Sequence, residues 1–509
     1  MSADERLVIE AVDGIEVDVV APPDHAPLAR QTLAYGLSGL LVPLVGMITL
    51  PVFAREFTPS QYGLLELGTT ALTVAVAVTD AGLTAAALRN FYDYTGEQER
   101  ERRSVLLTGF LATSVIALAV ALLLIALRHE LSRWLFDRPG QGTLVVLIAG
   151  SVVAVNTWRY VGEVMRVSFQ AFGYLAMSAL AAIVTTALGV TGVLALGWRV
   201  DGVFVAALAG NTIAAAYGVF AVRRWLSGRF SKPELRSMLA YGLPLVPSAL
   251  SAWALALVDR IILSRLGSLS QVGQYAVANR LAQLLLIGMT AFLFALSPFL
   301  LSTYSEDPEQ EKAARGRTLT YLTFILAIVG LAVTLFAKEI FDIVAPKYDD
   351  AYLTVGPLAL GTALYGIATV LTTGLAIVRK TVHLAGLAVG AAVLNIVLNF
   401  ALIPPLGIVG AGLATAVGYG ALALSYYWLT QRLYPTPYEP RKVLTMLAAA
   451  SLLGLVGLVS FEPLGLLVAV KIVALAAFVA VSWLARAMTG TEFRELRRFA
   501  TGMLKPARP

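Results

Sequence analysis

The chain has 509 residues, 58% of them hydrophobic and only 14% charged, with a mean hydropathy of +0.77 and a formal net charge of +6. Soluble domains carry about 25% charged residues, so the composition excludes a soluble enzyme, and the basic residues of this membrane chain point to lipid headgroups as neighbours rather than to nucleic acid. Cysteine is absent and His25, His129 and His383 are scattered, which removes disulfides, thiolate chemistry and zinc-like spacings; no metal or other cofactor is expected.

Residues 1–30 carry Asp4, Glu5, Glu10, Asp13, Glu16, Asp18 and Asp24 around Pro22 and Pro23. They lack the basic and apolar stretches of a signal peptide and read as an acidic, mobile cytoplasmic tail. A bilayer core about 30 Å thick takes about 20 apolar residues as helix. Such spans are predicted at 33–54, 62–88, 104–127, 142–166, 172–196, 201–222, 238–263, 271–302, 318–337, 351–377, 384–404, 408–431, 443–461 and 464–485. With the N-terminus inside, roughly two-thirds of the Lys and Arg residues fall in cytoplasmic segments and only about a fifth outside, as the positive-inside rule requires.

The spans read twice. LAYG stands at Leu33–Gly36 and at Leu239–Gly242, SQYG at Ser60–Gly63 and SQVGQY at Ser270–Tyr275, and DGVFVAALAG from Asp201 matches IVGAGLATAVG from Ile408. Both halves start on the same side of the membrane. The expected fold is therefore an all-α polytopic membrane protein of about 14 transmembrane helices: two parallel six-helix repeats, 31–230 and 231–435, an appended helix pair at 436–487 and a basic cytoplasmic tail at 488–509. Duplicated, many-span chains of this kind are the usual construction of secondary transporters.

Two patterns point to a central pathway. Pro43 and Pro51 interrupt span 1 and Pro244 and Pro247 its counterpart, span 7; interruptions in matching spans mark binding sites and hinges, although Pro also merely kinks transmembrane helices. Ionisable residues at depth are costly and so tend to be functional. Asn156, Arg159 and Glu163 share one face of span 4, where Arg159 and Glu163 could pair. Span 7 carries Asp259 and Arg260, of which Arg260 could snorkel to the headgroups. Span 8 carries Asn279 and Arg280, span 2 carries Asp80 ahead of Gly82, and Asn395 and Asn399 share a face of span 11. Lys471 in span 14 is expected to snorkel outward. The reading takes Arg159, Arg260 and Arg280 with Asn156, Asn279, Asn395 and Asn399 as cavity residues for anionic and hydroxyl groups, and Asp80, Glu163 and Asp259 as ion-pair or coupling carboxylates. Arg matches phosphate oxygens bidentately. No Walker-type loop occurs, so transport would be driven by gradients.

The chain resembles the polysaccharide flippase family of the multidrug/oligosaccharidyl-lipid/polysaccharide exporter superfamily. The resemblance lies in AYG with VPL, PxxxREFTPSQYG (Pro51–Gly63), TDAGL (Thr79–Leu83), YGLPLVP (Tyr241–Pro247), WALALVDRIILSRLG (Trp253–Gly267) and VGQYAVANR (Val272–Arg280), in order over about residues 30–435. It implies a MATE-like V of two bundles with alternating access. It also implies as cargo an undecaprenyl-pyrophosphate-linked repeat unit of O-antigen, capsule or exopolysaccharide, in the bacterial cytoplasmic membrane with both termini inside. Implied partners are this lipid-linked oligosaccharide, membrane lipids, and the polymerase and glycosyltransferases of the pathway. Fourteen spans rather than twelve resemble the lipid-II-flipping branch, whose extra helices form a groove for the lipid tail. A multidrug antiporter of the same fold is the rival reading; a membrane glycosyltransferase would need larger loops than this chain has.

Overall fold

The computed structural model describes residues 28–136, 140–290, 292–293, 308–377, 381–459, 462–490 and 492–494, with short stretches at 8–9 and 17–18. Apart from a two-residue antiparallel pairing that sets Val8 opposite Asp18, the described residues are helices and their connections. The rest of the expected acidic tail and the end of the basic tail lie outside them.

The helices are α1 (Leu28–Glu56), α2 (Pro59–Asp80), α3 (Leu83–Tyr92), α4 (Glu99–Ala126), α5 (Arg128–Phe136), α6 (Gly142–Val167), α7 (Ala171–Leu196), α8 (Val200–Val222), α9 (Lys232–Gly242), α10 (Val246–Leu266), α11 (Leu269–Ala282), α12 (Pro308–Leu335), α13 (Ala337–Val344), α14 (Val355–Ile377), α15 (Thr381–Leu433), α16 (Pro440–Gly454) and α17 (Leu464–Leu484). Apolar runs of this length become helices because lipid offers no partner to a free N–H or C=O, so each segment must satisfy its own backbone. Among the described residues eleven helices are long and apolar enough to cross a bilayer, or twelve if Lys232–Leu245 and Ala249–Leu266, bent by 46°, form one span. Within α15 the backbone is non-helical at Gly407 (φ 56°), just past Pro404 and Pro405. A Cβ at Gly418 would lie 2.9 Å from the Cβ of Asn395, so α15 is a hairpin of two antiparallel helices, in keeping with spans 384–404 and 408–431. The predicted span 271–302 runs out of the described residues after 293, so the described helices alone do not make up fourteen.

The repeated Ser-Gln-X-Gly motif has a structural job. Ahead of α2 the Thr58 amide donates to Gln61 Oε1 at 2.9 Å while the Gln61 amide donates to Thr58 Oγ1 at 3.3 Å, a capping box with Pro59 as the first helical residue. Ahead of α11 the Gln271 amide donates to Ser268 Oγ at 3.2 Å. Both copies thus start a span by satisfying orphan amides.

The breaks fall in spans 2 and 7, not in spans 1 and 7 as the prolines predict. Helix α1 runs unbroken through Pro43 and Pro51, because a proline removes one hydrogen bond and can bend a helix without ending it. Span 2 breaks between α2 and α3, where Ala81 (φ 47°) and Gly82 (φ 71°) are both left-handed. Span 7 breaks at the 3-10 turn Leu243–Leu245 containing Pro244. The two breaks touch: a Cβ at Gly82 would come within 2.8 Å of the Gly242 Cα.

The chain divides into two compact units that do not follow the sequence halves: Met1–Val45 with Gly68–Ala249, and Gly46–Leu67 with Leu250–Pro509. The end of span 1 and the start of span 2 belong to the second unit, while α9 belongs to the first. Two of the crossings follow a proline closely: Val45 comes just after Pro43, and Ala249 just after Pro247. In the first unit α9 is fastened to α3 by Asn90, whose Nδ2 donates to Glu234 Oε2 at 3.0 Å, and by the Tyr94 hydroxyl, which donates to Glu234 Oε1 at 2.5 Å.

Candidate functional site

In the first unit the broken span 2 opens a cavity of about 500 Å³ lined by Asp80, Thr84, Asn156, Trp158, Arg159, Glu163 and Tyr174 among apolar neighbours. The break explains its polar wall. Asp80 is the last residue of α2, and the Thr84 hydroxyl donates to its carboxylate across the left-handed pair. Irregular backbone at membrane depth survives where it lines a cavity or is buried in protein.

Helix α6 supplies the facing side. Spacing did place Asn156, Arg159 and Glu163 together, but their roles differ from the expected ones. Glu163 pairs with Arg166 at 2.9 Å rather than with Arg159; one turn in either direction is equally reachable along a helix. Asn156 is consumed by packing: it accepts from Thr79 Oγ1 at 3.2 Å and donates to the Thr113 carbonyl at 3.3 Å. Arg159 makes no hydrogen bond or ion pair among the described residues and is exposed to the cavity. A guanidinium with five free donors is the group there best able to take an anionic oxygen.

In the second unit the deep charges form a connected network. Arg260 is 2% exposed; its Nε donates to Glu66 Oε1 at 2.8 Å and its Nη1 to Asp259 Oδ1 at 2.8 Å and to the Ala256 carbonyl at 2.7 Å. It does not snorkel, because two carboxylates hold it inside. Asp259 also accepts from the Tyr275 hydroxyl and from Thr415 Oγ1, the latter at 3.3 Å. Arg280 lies at the margin: Nη2 is 3.7 Å from Glu66 Oε2, and the side chain is 31% exposed. Asn279 precedes it on α11, half-buried. Asn395 and Asn399 are fully buried and bond each other along one helix, Asn399 Nδ2 donating to Asn395 Oδ1 at 3.1 Å.

Lys471 is a further correction. It is fully buried, with Nζ 2.5 Å from Glu339 Oε1, so its charge is paired inside the protein rather than carried out to headgroups. Glu66, Tyr275, Glu339 and the buried pair Arg315–Glu311 were not singled out in the sequence. Glu66 lies within predicted span 62–88, where the depth argument applied to it as fully as to Asp80. The partners of Glu66 and Glu339 lie far away in the chain, and no local spacing announces such pairs.

Residues 28–304 match the family model described as polysaccharide biosynthesis protein. The chain belongs to that family. A probable low-salt glycan biosynthesis flippase, Agl15 of Haloferax volcanii, is 24% identical over 77% of this chain and 81% of that protein. Among solved structures, a lipid II flippase, MurJ, in an inward closed conformation superposes with a TM-score of 0.70 at 14% identity, covering 90% of this chain and all of that one. An inward-facing multidrug-resistance MATE transporter gives 0.64 at 14% identity, with 78% and 98% covered. The all-helical, many-span fold of this family member is therefore that of the MATE and MurJ transporters.

Proposed function

We propose that this member of the family flips an undecaprenyl-pyrophosphate-linked oligosaccharide repeat unit from the cytoplasmic to the outer leaflet of a bacterial inner membrane, for O-antigen, capsule or exopolysaccharide synthesis. The observation that carries the reading is Arg159, a guanidinium without an ion pair or hydrogen bond among the described residues, on a polar cavity at a broken span. Carrying a glycan through hydrocarbon bare would strip its hydroxyls of water at several kcal/mol each; a polar cavity that opens alternately to either side removes most of that barrier. An apolar cavity of about 350 Å³, lined from α12, α14, α15 and α16 by residues including Leu326, Leu331, Leu360, Leu413 and Leu447, supports a place for the prenyl tail against the first appended helix. The two units rock about the crossings next to Pro43 and Pro247. An anionic group moving outward runs down the membrane potential, about 2.3 kcal/mol per charge per 100 mV, which supports net export without ATP.

A lipid II flippase and a multidrug antiporter share the fold. Arg159 and the partly open Arg280 favour anionic over cationic cargo, which weighs against the antiporter. Deleting the gene tests the proposal. Loss of surface polysaccharide with lipid-linked repeat units retained inside, at unchanged drug tolerance, supports it. Intact polysaccharide with new sensitivity to cationic drugs makes the chain an antiporter, and arrest of peptidoglycan synthesis makes it a lipid II flippase.

A further inference from the structure

The network around Glu66 is asymmetric in a way that ion pairing for stability does not require. Glu66 and Asp259 face Arg260 and Arg280, two carboxylates for two guanidiniums, but the charges are shared unevenly. Arg260 takes Glu66 Oε1 and Asp259 Oδ1, each at 2.8 Å. Arg280 has Glu66 Oε2 no nearer than 3.7 Å, a long bond of 3.5 Å from Nη1 to Gln283 Oε1, and the neutral hydroxyl of Tyr62. Exposure follows the same order, 3% for the Arg260 side chain against 31% for that of Arg280. On the α1 side the neighbour is Gly46, where a Cβ would sit 3.3 Å from Arg280 Nη1; a larger residue would press on the guanidinium. Arg280 thus has as its counter-charge only the second oxygen of a carboxylate whose first oxygen is committed elsewhere, with neutral groups for its other partners.

We propose that Glu66 is an internal counter-anion for Arg280, which the pyrophosphate group of the cargo must displace, so that Glu66 sets the selectivity of the site for a strongly charged anion. The inference rests on the reading of the cargo as a lipid-linked pyrophosphate. A pyrophosphate binds a guanidinium through paired short bonds and outcompetes a contact at 3.7 Å. A weaker anion, or a neutral lipid, does not offset the loss of Glu66. Because Oε1 stays on Arg260 throughout, displacement leaves Glu66 paired rather than buried as a lone charge, whose cost would otherwise block the exchange.

The test is calorimetric titration of the purified full-length protein in detergent with farnesyl pyrophosphate, alongside inorganic pyrophosphate and farnesol. Removing the charge that competes for the partly exposed Arg280 is expected to tighten farnesyl pyrophosphate binding by about 3- to 10-fold in Glu66→Gln, with no such gain in an Arg280→Gln background. Glu66→Asp keeps the charge but shortens its reach, and is expected to fall between wild type and Glu66→Gln; it also serves as the test if Glu66→Gln fails to fold. Equal gains for farnesyl and inorganic pyrophosphate would assign the site to the pyrophosphate group itself, and a gain for the farnesyl compound alone to a lipid-linked one. Unchanged or weaker binding in Glu66→Gln, while Arg280→Gln weakens the wild type, overturns the role of Glu66 alone. Binding that is indifferent to Arg280→Gln overturns the anion site at Arg280, whereas a wild type that binds neither pyrophosphate compound overturns the proposed cargo.

Discussion

Gly63 and Gly273 occupy the same position in the two copies of Ser-Gln-X-Gly, and in the folded chain they meet. A Cβ at Gly63 would collide with the carbonyl oxygen of Leu269, and a Cβ at Gly273 with that of Pro59; Pro59 and Leu269 are themselves equivalent, each opening its helix. The contact is reciprocal, as a two-fold relation demands. The same segment is held from the loop after α13: Arg55 Nη2 donates to the Ile343 carbonyl at 2.7 Å, and Lys347 Nζ donates to the carbonyl of Arg55, so two helix C-termini are capped by each other's cations.

Because backbone rather than a flexible side chain fills the space, Gly63→Ala and Gly273→Ala should each destabilise this packing by about 1–3 kcal/mol. Either substitution alone already separates the two helices. The double variant should therefore cost less than the sum of the singles, since residues in contact couple. Thermal unfolding of the four proteins in detergent measures this directly, and strict additivity would mean that the two glycines do not share one contact.

Arg159 and Asn156 stand one turn apart on α6 and should behave oppositely. Arg159→Ala removes no hydrogen bond among the described residues, so its melting temperature should stay near that of wild type, within the range of ordinary surface changes of about 0.5 kcal/mol. Its polysaccharide export should nevertheless be lost. Asn156→Ala removes two buried hydrogen bonds, one from Thr79 and one to the Thr113 carbonyl, and should cost about 1–3 kcal/mol, with export falling only as far as folded protein is lost. Complementation of a deletion strain, read against protein level, separates the two. Full export by Arg159→Ala would remove the residue that carries the proposed function.

These contrasts show where sequence reading reaches and where it stops. Helical spacing was enough to set Asn156, Arg159 and Glu163 on one face, but the depth of Asp80 did not announce the break in span 2. Spacing could not say that Glu163 takes Arg166, or that Asn395 and Asn399 bond each other. The Arg260 network joins side chains 194 residues apart, so no local spacing singles out Glu66. Span 1 stays unbroken at its prolines for a related reason. A missing amide is a local fact, but whether a helix breaks there depends on what packs around it.

The C-terminal border offers a pH test outside the membrane. Thr489 and Glu492 form a capping box: the Thr489 amide donates to Glu492 Oε2 at 2.7 Å and the Glu492 amide to Thr489 Oγ1 at 3.3 Å. Lys442 Nζ adds an ion pair at 2.8 Å. Burial pushes the Glu492 carboxyl up, but Lys442 and the Thr489 donors outweigh it and hold the group below its usual value of 4.5. A depressed carboxylate binds fewer protons folded than unfolded, so its contribution is present above pH 4.5 and fades as the pH falls below that value. Hydrogen exchange at the Thr489 and Glu492 amides should therefore show a loss of protection on acidification, after correction for the intrinsic exchange rate. Glu492→Gln should lower protection at neutral pH and flatten the acid step; an unchanged acid step in that variant would place the titration elsewhere.

Lys471 decides between two fates for a cation in an appended helix. It is fully buried against Glu339, with its Nζ also 5.7 Å from the Phe336 ring, while Glu339 Oε2 has no hydrogen-bond partner among the described residues and the Glu339 side chain is 21% exposed. Breaking a buried pair costs about 3–5 kcal/mol when the surviving charge stays buried. The Glu339 side chain reaches solvent, so Lys471→Ala should cost less, about 2 kcal/mol. Replacing both partners by apolar residues, Lys471→Met with Glu339→Leu, removes the stranded charge along with the pair and should restore most of that loss. Thermal unfolding of the two single variants and the double gives the coupling. If Lys471→Ala is as stable as wild type and the double shows no recovery, the lysine reaches the headgroups instead, and helices α13 and α17 are held together by packing alone.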